Sequence, residues 1–334
     1  CCVLADGVPV IIELKEENEF RLTARELRDA ITDKTKILVL PFPNNPTGAI
    51  MTQKDLEEIA EVIIEKDIYV LSDEIYSELS YAGDHVSITR IPGMRERTVL
   101  INGFSKAYAM TGWRLGYACG PAEILSQMTK LHQYAIMCAP TNSQYAAVEA
   151  LKNGDEDVAM MRESYDQRRR FLVHTLREMG LSCFEPYGAF YIFPSIQEFG
   201  MTSEEFATRF LMEEKVAVVP GTAFGECGEG FLRISYAYSL EDLNKMYGNL
   251  RTLVSEADSS IAAIHSIQHE KDWFDNPIET TGQFSGVVID ARKEEVLILA
   301  PTEAIETADS LEVAFSDSAV LPGAVKQTDS RMGL

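Results

Sequence analysis

The sequence predicts an α/β protein: a mostly parallel sheet sandwiched by helices, then a smaller α+β domain, then a short β-rich tail. Three observations predict it. Over the first half, short and nearly all-apolar β-branched runs alternate with amphipathic stretches, the pattern of strands buried on both faces and joined by helices. A long arginine-rich helical stretch, residues 155–179, then leads into a segment that mixes strands and helices. From about Glu256 the composition turns acidic, with 15 acidic against 5 basic side chains.

The elements follow in order. Residues 36–40 are a compact apolar strand. Thr52 caps the next helix, with Asp55 at the reciprocal capping position and Leu56, Ile59, Ala60 and Ile63 along one face. Residues 68–71, 98–101 and 115–119 are further strands. After the long helix, Gly180 and the Pro186-Tyr187-Gly188 turn break the chain. A strand over 189–193 follows, then a helix capped by Thr202 with Glu205, strands over 216–219 and 231–236, and a helix capped by Ser239 that runs to about Val254. Residues 261–276 are polar and weakly patterned and read as a linker, and residues 284–289, 296–299 and 311–315 read as short strands. The expected domains are therefore 1–155, 156–255 and 256–334.

The chain carries 52 acidic and 30 basic side chains over 334 residues, a net charge of −22. A surface this acidic repels phosphate backbones, which argues against nucleic acid as a partner. An anion site must then be built from individual arginines. The six cysteines form no C-x-x-C pair and read as reduced, mostly buried thiols of a cytoplasmic protein. No apolar run approaches the roughly 18 residues that cross a bilayer, so no membrane is expected. The chain opens on Cys1-Cys2-Val3-Leu4 without Met and reads as lacking its natural N-terminus.

Four polar clusters sit beside predicted strands. They are Asn44-Asn45-Pro46-Thr47-Gly48, Ser72-Asp73-Glu74-Ile75-Tyr76, Gly103-Phe104-Ser105-Lys106 and Thr111-Gly112-Trp113-Arg114-Leu115-Gly116. Ligands of open α/β sheets bind beyond the carboxyl ends of the strands, where the first three clusters lie. Singly each has a plain structural meaning: a turn, a helix cap, a solvated lysine.

Taken together, in this order and spacing, they resemble the class I/II aminotransferases of the aspartate aminotransferase fold type, over roughly residues 1–254. The resemblance implies fold type I of the pyridoxal-phosphate-dependent transferases and pyridoxal 5′-phosphate as cofactor. Lys106 matches the lysine that holds the cofactor as a Schiff base, which needs an amine of depressed pKa. Asp73 matches the carboxylate that keeps the pyridine nitrogen protonated, so that the ring accepts electrons. Tyr76 and Asn45 match the phenol and amide on the ring oxygen. Arg114 matches the phosphate-binding guanidinium, and Ser105 a hydroxyl beside it. Arg233, in the apolar run Phe231-Leu232-Arg233-Ile234-Ser235, matches the arginine that grips the substrate carboxylate as a planar fork. The implied reaction is ping-pong transfer of an amino group from an amino acid to a 2-oxo acid, with Lys106 as base and then acid. A homodimer is implied as well. The family's glycine-rich phosphate turn and ring-stacking aromatic lie before the point where this chain starts. Two alternatives stay open: a C–S β-lyase using the same residues, and a non-catalytic interaction protein on an enzyme fold.

Other features carry less. His265 and His269 are spaced i, i+4 with no third ligand and read as solvated linker histidines; no metal is expected. The Arg168-Arg169-Arg170 run reads as a solvated helix face, and Met128, Met137, Met160 and Met161 as core. The tail resembles the first barrel of trypsin-like serine proteases of the HtrA type, in degenerate form. Glu303 stands where that family has its catalytic His, and the carboxylate position falls near Gly333. No protease activity is expected of it.

Overall fold

A computed structural model describes residues 2–259, 261–271, 277–291, 296–301, 308–315, 320–326 and 328. The described chain forms two compact units, one running to Gln197 and taking up again over Met201–Lys245, the other made of Glu198–Gly200 and the residues from Met246 onward.

The first unit is the α/β body. Helix α1 (Ala24–Ala30) starts at Thr23, whose hydroxyl and the Glu26 carboxylate bond each other's backbone N–H. Strand β1 (Ile37–Pro41) follows, then α2 (Gln53–Glu65) with the same reciprocal cap between Thr52 and Asp55. Each cap satisfies N–H groups that a helix start leaves open, worth about 1 kcal/mol. Strands β2 (Tyr69–Asp73), β3 (Thr98–Gly103) and β4 (Gly116–Cys119) complete a sheet of order β1-β2-β3-β4. Strands β1, β2 and β3 are parallel, and β4 is antiparallel to β3. The predicted strands and the α2 helix fall within two residues of these bounds, because their apolar period is uninterrupted.

The buried face of α2, with Leu56, Ile59, Ala60, Val62 and Ile63, joins Leu40 and Val70 in the main core. Cover is uneven: on the other side of the strands, Ile37, Val39 and Tyr69 remain 59%, 57% and 48% exposed. At Gly103 a β-carbon would lie 2.9 Å from the Cα of Gly116, so only glycine lets β3 and β4 approach this closely at the mouth of the Lys106 loop.

Helices α3 (Ala122–Ile136), α4 (Thr141–Asn153) and α5 (Asp155–Glu178) follow. Strand β5 (Tyr191–Ile192), helix α6 (Ser203–Glu214, capped by Thr202 and Glu205), and strands β6 (Val219–Pro220) and β7 (Leu232–Ser235) build a second, antiparallel sheet of order β5-β7-β6. These strands are shorter than predicted for local reasons. Ala189 has φ +59°, which breaks the extended run before β5. Lys215 has φ +60°, and the Val216 N–H closes back onto the Phe210 carbonyl, so only Val219 and Pro220 reach β7.

Three expectations need correction. Arg169 is not solvated: it is 6% exposed, bonded to Asp166 at 2.8 Å and Glu185 at 2.7 Å, and lies 5.6 Å from both the Tyr81 and Tyr187 rings. Met137 and Met160 are exposed, at 80% and 65%, because α3 buries no residue and Met160 lies on the outer face of α5. Of the described cysteines only Cys183 is buried, while Cys2, Cys119, Cys138 and Cys227 are exposed. All five thiols are free.

Helix α7 (Leu240–Ser259) leads into the tail, where β8 (Ile261–Lys271), β9 (Pro277–Ala291), β10 (Val296–Leu299), β11 (Ser310–Ala314) and β12 (Val320–Gly323) form an antiparallel sheet of order β10-β9-β8-β11-β12. The stretch read as a linker is thus largely the central strand. Its polar side chains hid a period of two, with Ile264 and Ser266 on the buried side at 5% and 7% exposure. His265 and His269 belong to this strand, where i, i+4 positions lie about 13 Å apart rather than one helical turn. Residues 272–276, Glu303 and Gly333 lie outside the described residues. No helix among the described residues is long and apolar enough to cross a membrane.

Candidate active site

The loop after β1 is held by its own side chains. Asn44 is buried; its Nδ2 donates to the Pro41 carbonyl at 3.3 Å, and its Oδ1 accepts from the Thr47 hydroxyl at 3.0 Å. Gly48 has φ +73°, and a β-carbon there would fall 2.4 Å from Pro186 Cβ, so the turn requires glycine. The neighbouring residue Asn45 is turned outward, and its Oδ1 accepts from Arg233 Nη1 at 3.0 Å.

The end of β2 supplies Asp73 and Tyr76. The Asp73 carboxylate accepts the Ile75 N–H at 3.2 Å, which fixes the turn into the loop. Tyr76 is buried, and its hydroxyl lies 3.1 Å from that of Tyr191 on β5. Burial pushes the Tyr76 phenol far above its ordinary range. The hydrogen bond and charge of Tyr191 add to this, Arg233 opposes it and Asp73 reinforces it. Asp73, Arg233 and Tyr191 therefore share one electrostatic neighbourhood around Tyr76.

Lys106 enters from the loop after β3. Its Nζ lies 5.5 Å from the centres of both the Tyr76 and Phe190 rings. Ser105 and Arg114 flank this amine along the chain. The Thr111 hydroxyl donates to the Ser105 carbonyl at 2.9 Å, and Arg114 Nη1 donates to the Thr111 carbonyl at 2.9 Å. Arg114 has φ +55°, an uncommon conformation for a residue with a side chain and one that collects at functional sites.

Arg233 occupies the centre of β7, opposite Val219 on β6. Its guanidinium packs against two rings, 4.6 Å from that of Tyr191 and 4.9 Å from that of Phe224. Its Nε is buried and has no hydrogen-bond partner among the described residues. A buried donor of a charged group left open costs energy, so its natural complement is an acceptor from outside the chain.

The fold thus brings Asp73, Lys106, Tyr191 and Arg233 around Tyr76, with Asn45 bonded to Arg233, and ties Ser105 and Arg114 together through Thr111. Sequence reasoning missed Phe190, Tyr191 and Phe224. The first two sit in a run read as an apolar strand, and nothing there sets them apart from core residues. It also missed the supports. Glu74 is buried and accepts from Ser72 at 2.9 Å and Ser87 at 2.8 Å, with His85 Nε2 2.9 Å away. The carbonyl of Ala189 accepts from the hydroxyls of both Tyr81 and Tyr236.

An amine on aromatic rings, a carboxylate and phenol beside it, and two guanidinium groups form a donor set suited to an anionic, ring-bearing ligand and a carboxylate. Among the described residues no cluster of His, Cys, Asp and Glu could hold a metal ion.

The chain is similar to known proteins. A family model described as aminotransferase class I and II matches residues 1–249. The chain is 48% identical over 257 residues to the aspartate aminotransferase of Pyrococcus abyssi, covering 76% of this chain and 66% of that protein. It is 46% identical over 257 residues to aromatic-amino-acid aminotransferase 2 of Thermococcus litoralis, with the same coverage of 76% and 66%. The crystal structure of an aromatic aminotransferase from Pyrococcus horikoshii superposes with a TM-score of 0.75 at 47% identity, over 76% of this chain and 69% of that one. The chain spans just under two thirds of the length of the two curated relatives, 66% in each case. The family match ends at residue 249 and lends no support to the protease resemblance of the tail.

Proposed function

The chain belongs to the class I and II aminotransferases, and we propose that its site moves an amino group from an amino acid to a 2-oxo acid with pyridoxal 5′-phosphate held at Lys106. The observation that carries the reading is the Arg233 guanidinium, packed against two rings with its Nε buried and without a partner among the described residues. A fork held flat and left open suits a carboxylate, which amino acids and 2-oxo acids share.

The residues present fit the cofactor by their chemistry. Lys106 offers an amine, Asp73 a carboxylate for a ring nitrogen, Tyr76 a phenol for a ring oxygen, and Arg114 with Ser105 donors for a phosphate. When bound, pyridoxal phosphate supplies an electron sink that makes the substrate Cα–H acidic. The chain's own groups do the rest. Arg233 and Asn45 orient the substrate by its carboxylate. Lys106 Nζ takes the Cα proton and later returns it. The rings of Tyr76 and Phe190 exclude water around that amine. Residues 1–155 would form the large cofactor-binding domain, 156–255 the small domain and 256–334 an appended segment.

The reading includes a homodimer. Helix α3 buries no residue and leaves Leu131 72%, Tyr134 87% and Ile136 61% exposed, an apolar surface that a second copy would cover.

The test is covalent. The protein is incubated with pyridoxal phosphate, reduced with borohydride and digested. A pyridoxyl group on Lys106, absent after Lys106→Ala, is expected; labelling elsewhere or nowhere rejects the reading. Formation of a 2-oxo acid with aminated cofactor, rather than pyruvate and ammonia from cysteine-type substrates, separates transfer from β-elimination.

A further inference from the structure

Tyr191 is 8% exposed and makes two different contacts. Its hydroxyl lies 3.1 Å from the Tyr76 hydroxyl, and its ring lies 4.6 Å from Arg233 Cζ. The two tyrosine rings meet edge to face at 81° with centres 6.0 Å apart. Tyr191 sits on β5 opposite Ser235, next to Arg233 on the paired strand β7, while Tyr76 comes from the loop after β2.

We propose that Tyr191 is a positioning residue that joins the two halves of the site, its hydroxyl holding the Tyr76 phenol and its ring holding the Arg233 guanidinium. What Tyr76 and Arg233 bind rests on the function proposed above; the two contacts do not.

Each half follows from simple chemistry. Two phenols carry two protons, and one of them fills the 3.1 Å bond. The other remains for a ligand. Phenylalanine at 191 would leave the buried Tyr76 hydroxyl without this partner, at a desolvation cost. At the other half, a guanidinium is flat, and rings packed against it restrict its plane. The Tyr191 ring lies 4.6 Å and the Phe224 ring 4.9 Å from its Cζ. With Nη1 bonded to Asn45, the fixed plane sets the direction in which Nε–H points. An aliphatic residue at 191 would lose that platform. The two functions of Tyr191 are therefore separable by substitution.

The experiment uses the whole chain, isotope-labelled at tyrosine ζ-carbons and arginine nitrogens, with succinate as the carboxylate probe. Tyr76→Phe and Arg233→Lys assign the two resonances. In Tyr191→Phe the Tyr76 resonance is expected to shift, while the Arg233 Nε–H resonance holds and succinate affinity changes less than about twofold. In Tyr191→Leu both resonances are expected to move, and succinate affinity to fall about tenfold. A Tyr76 resonance unmoved by Tyr191→Phe, an Arg233 resonance unmoved by Tyr191→Leu, or equal loss of succinate affinity in both variants overturns the proposal. Should Tyr191→Leu not fold, the wild type decides: a nuclear Overhauser contact between the Tyr191 ring protons and Arg233 Nε–H supports the ring's role, and its absence rejects it. If succinate leaves the wild-type Arg233 resonance unmoved, the carboxylate reading of Arg233 fails, and the ligand-free resonances still judge Tyr191.

Discussion

Arg233 and Lys bear the same charge, so exchanging them isolates geometry. Arg233→Lys removes the planar fork and the stacking on Tyr191 and Phe224. Losing a charge-assisted hydrogen bond costs about 1.5–3 kcal/mol, so carboxylate affinity is expected to fall roughly 10- to 100-fold. Cofactor affinity is expected to stay within about twofold. Titration of succinate and of pyridoxal phosphate on the same variant checks both. A second residue-scale outcome concerns thiols. Burial pushes Cys183 up to about 12, while Cys119, Cys138 and Cys227 are exposed. Brief alkylation at neutral pH should modify these three and the exposed Cys2, and spare Cys183 until the protein is denatured, read by peptide mass spectrometry. Arg233 was legible in the sequence because an arginine in an apolar strand is conspicuous. Tyr191 was not, because a tyrosine in such a strand is ordinary.

Two supports act at the scale of elements. The approach to β5 is held by Tyr81 and Tyr236, both bonded to the carbonyl of Ala189, whose φ is +59°. Burial is the largest cause of the upward shift of both phenols. Below pH about 10 they are protonated in folded and unfolded chains alike, and stability is fully present. Above it the unfolded chain loses protons that the folded chain keeps. Stability should then fall by about 1.4 kcal/mol per pH unit for each tyrosine. Urea unfolding at pH 9 to 11 should show a shallower decline in Tyr236→Phe than in the wild type. The other support is Arg169 on α5. Breaking its part-buried bonds to Asp166 and Glu185 by Arg169→Ala should cost about 1.5–3 kcal/mol in urea unfolding. Arg170→Ala, at an exposed side chain paired with Glu163 and Asp166, should change stability by less than about 1 kcal/mol. The run of three arginines looked uniform as text. The core lies against only one side of the helix, and that side is where Arg169 points.

At the scale of the molecule, the apolar faces that remain open are expected to meet a second copy. Sedimentation equilibrium should give a dimer for the wild type. The double substitution Leu131→Glu, Tyr134→Glu should give a monomer with an unchanged helical spectrum, because α3 buries neither side chain within its own chain. A wild-type monomer rejects the dimer. The tail shows why whole-molecule order is harder to read than local order. Its central strand β8 is mostly polar, and it is specified by pairing with β9 on one side and β11 on the other. Sheet pairing is a property of partners, so composition alone suggested a linker.

Local chemistry is written in the sequence. Capping boxes at Thr52 and Thr202 and unbroken apolar periods placed α2, α6 and the strands of the first sheet. The order and spacing of the polar clusters identified the family. The tertiary structure alone decided which of those groups meet. Asn45 and Arg233 are 188 residues apart and bonded at 3.0 Å, and Tyr76 and Tyr191 are 115 apart with hydroxyls at 3.1 Å. Such meetings depend on how two sheets pack through a shared core, which no period of two or 3.6 residues encodes.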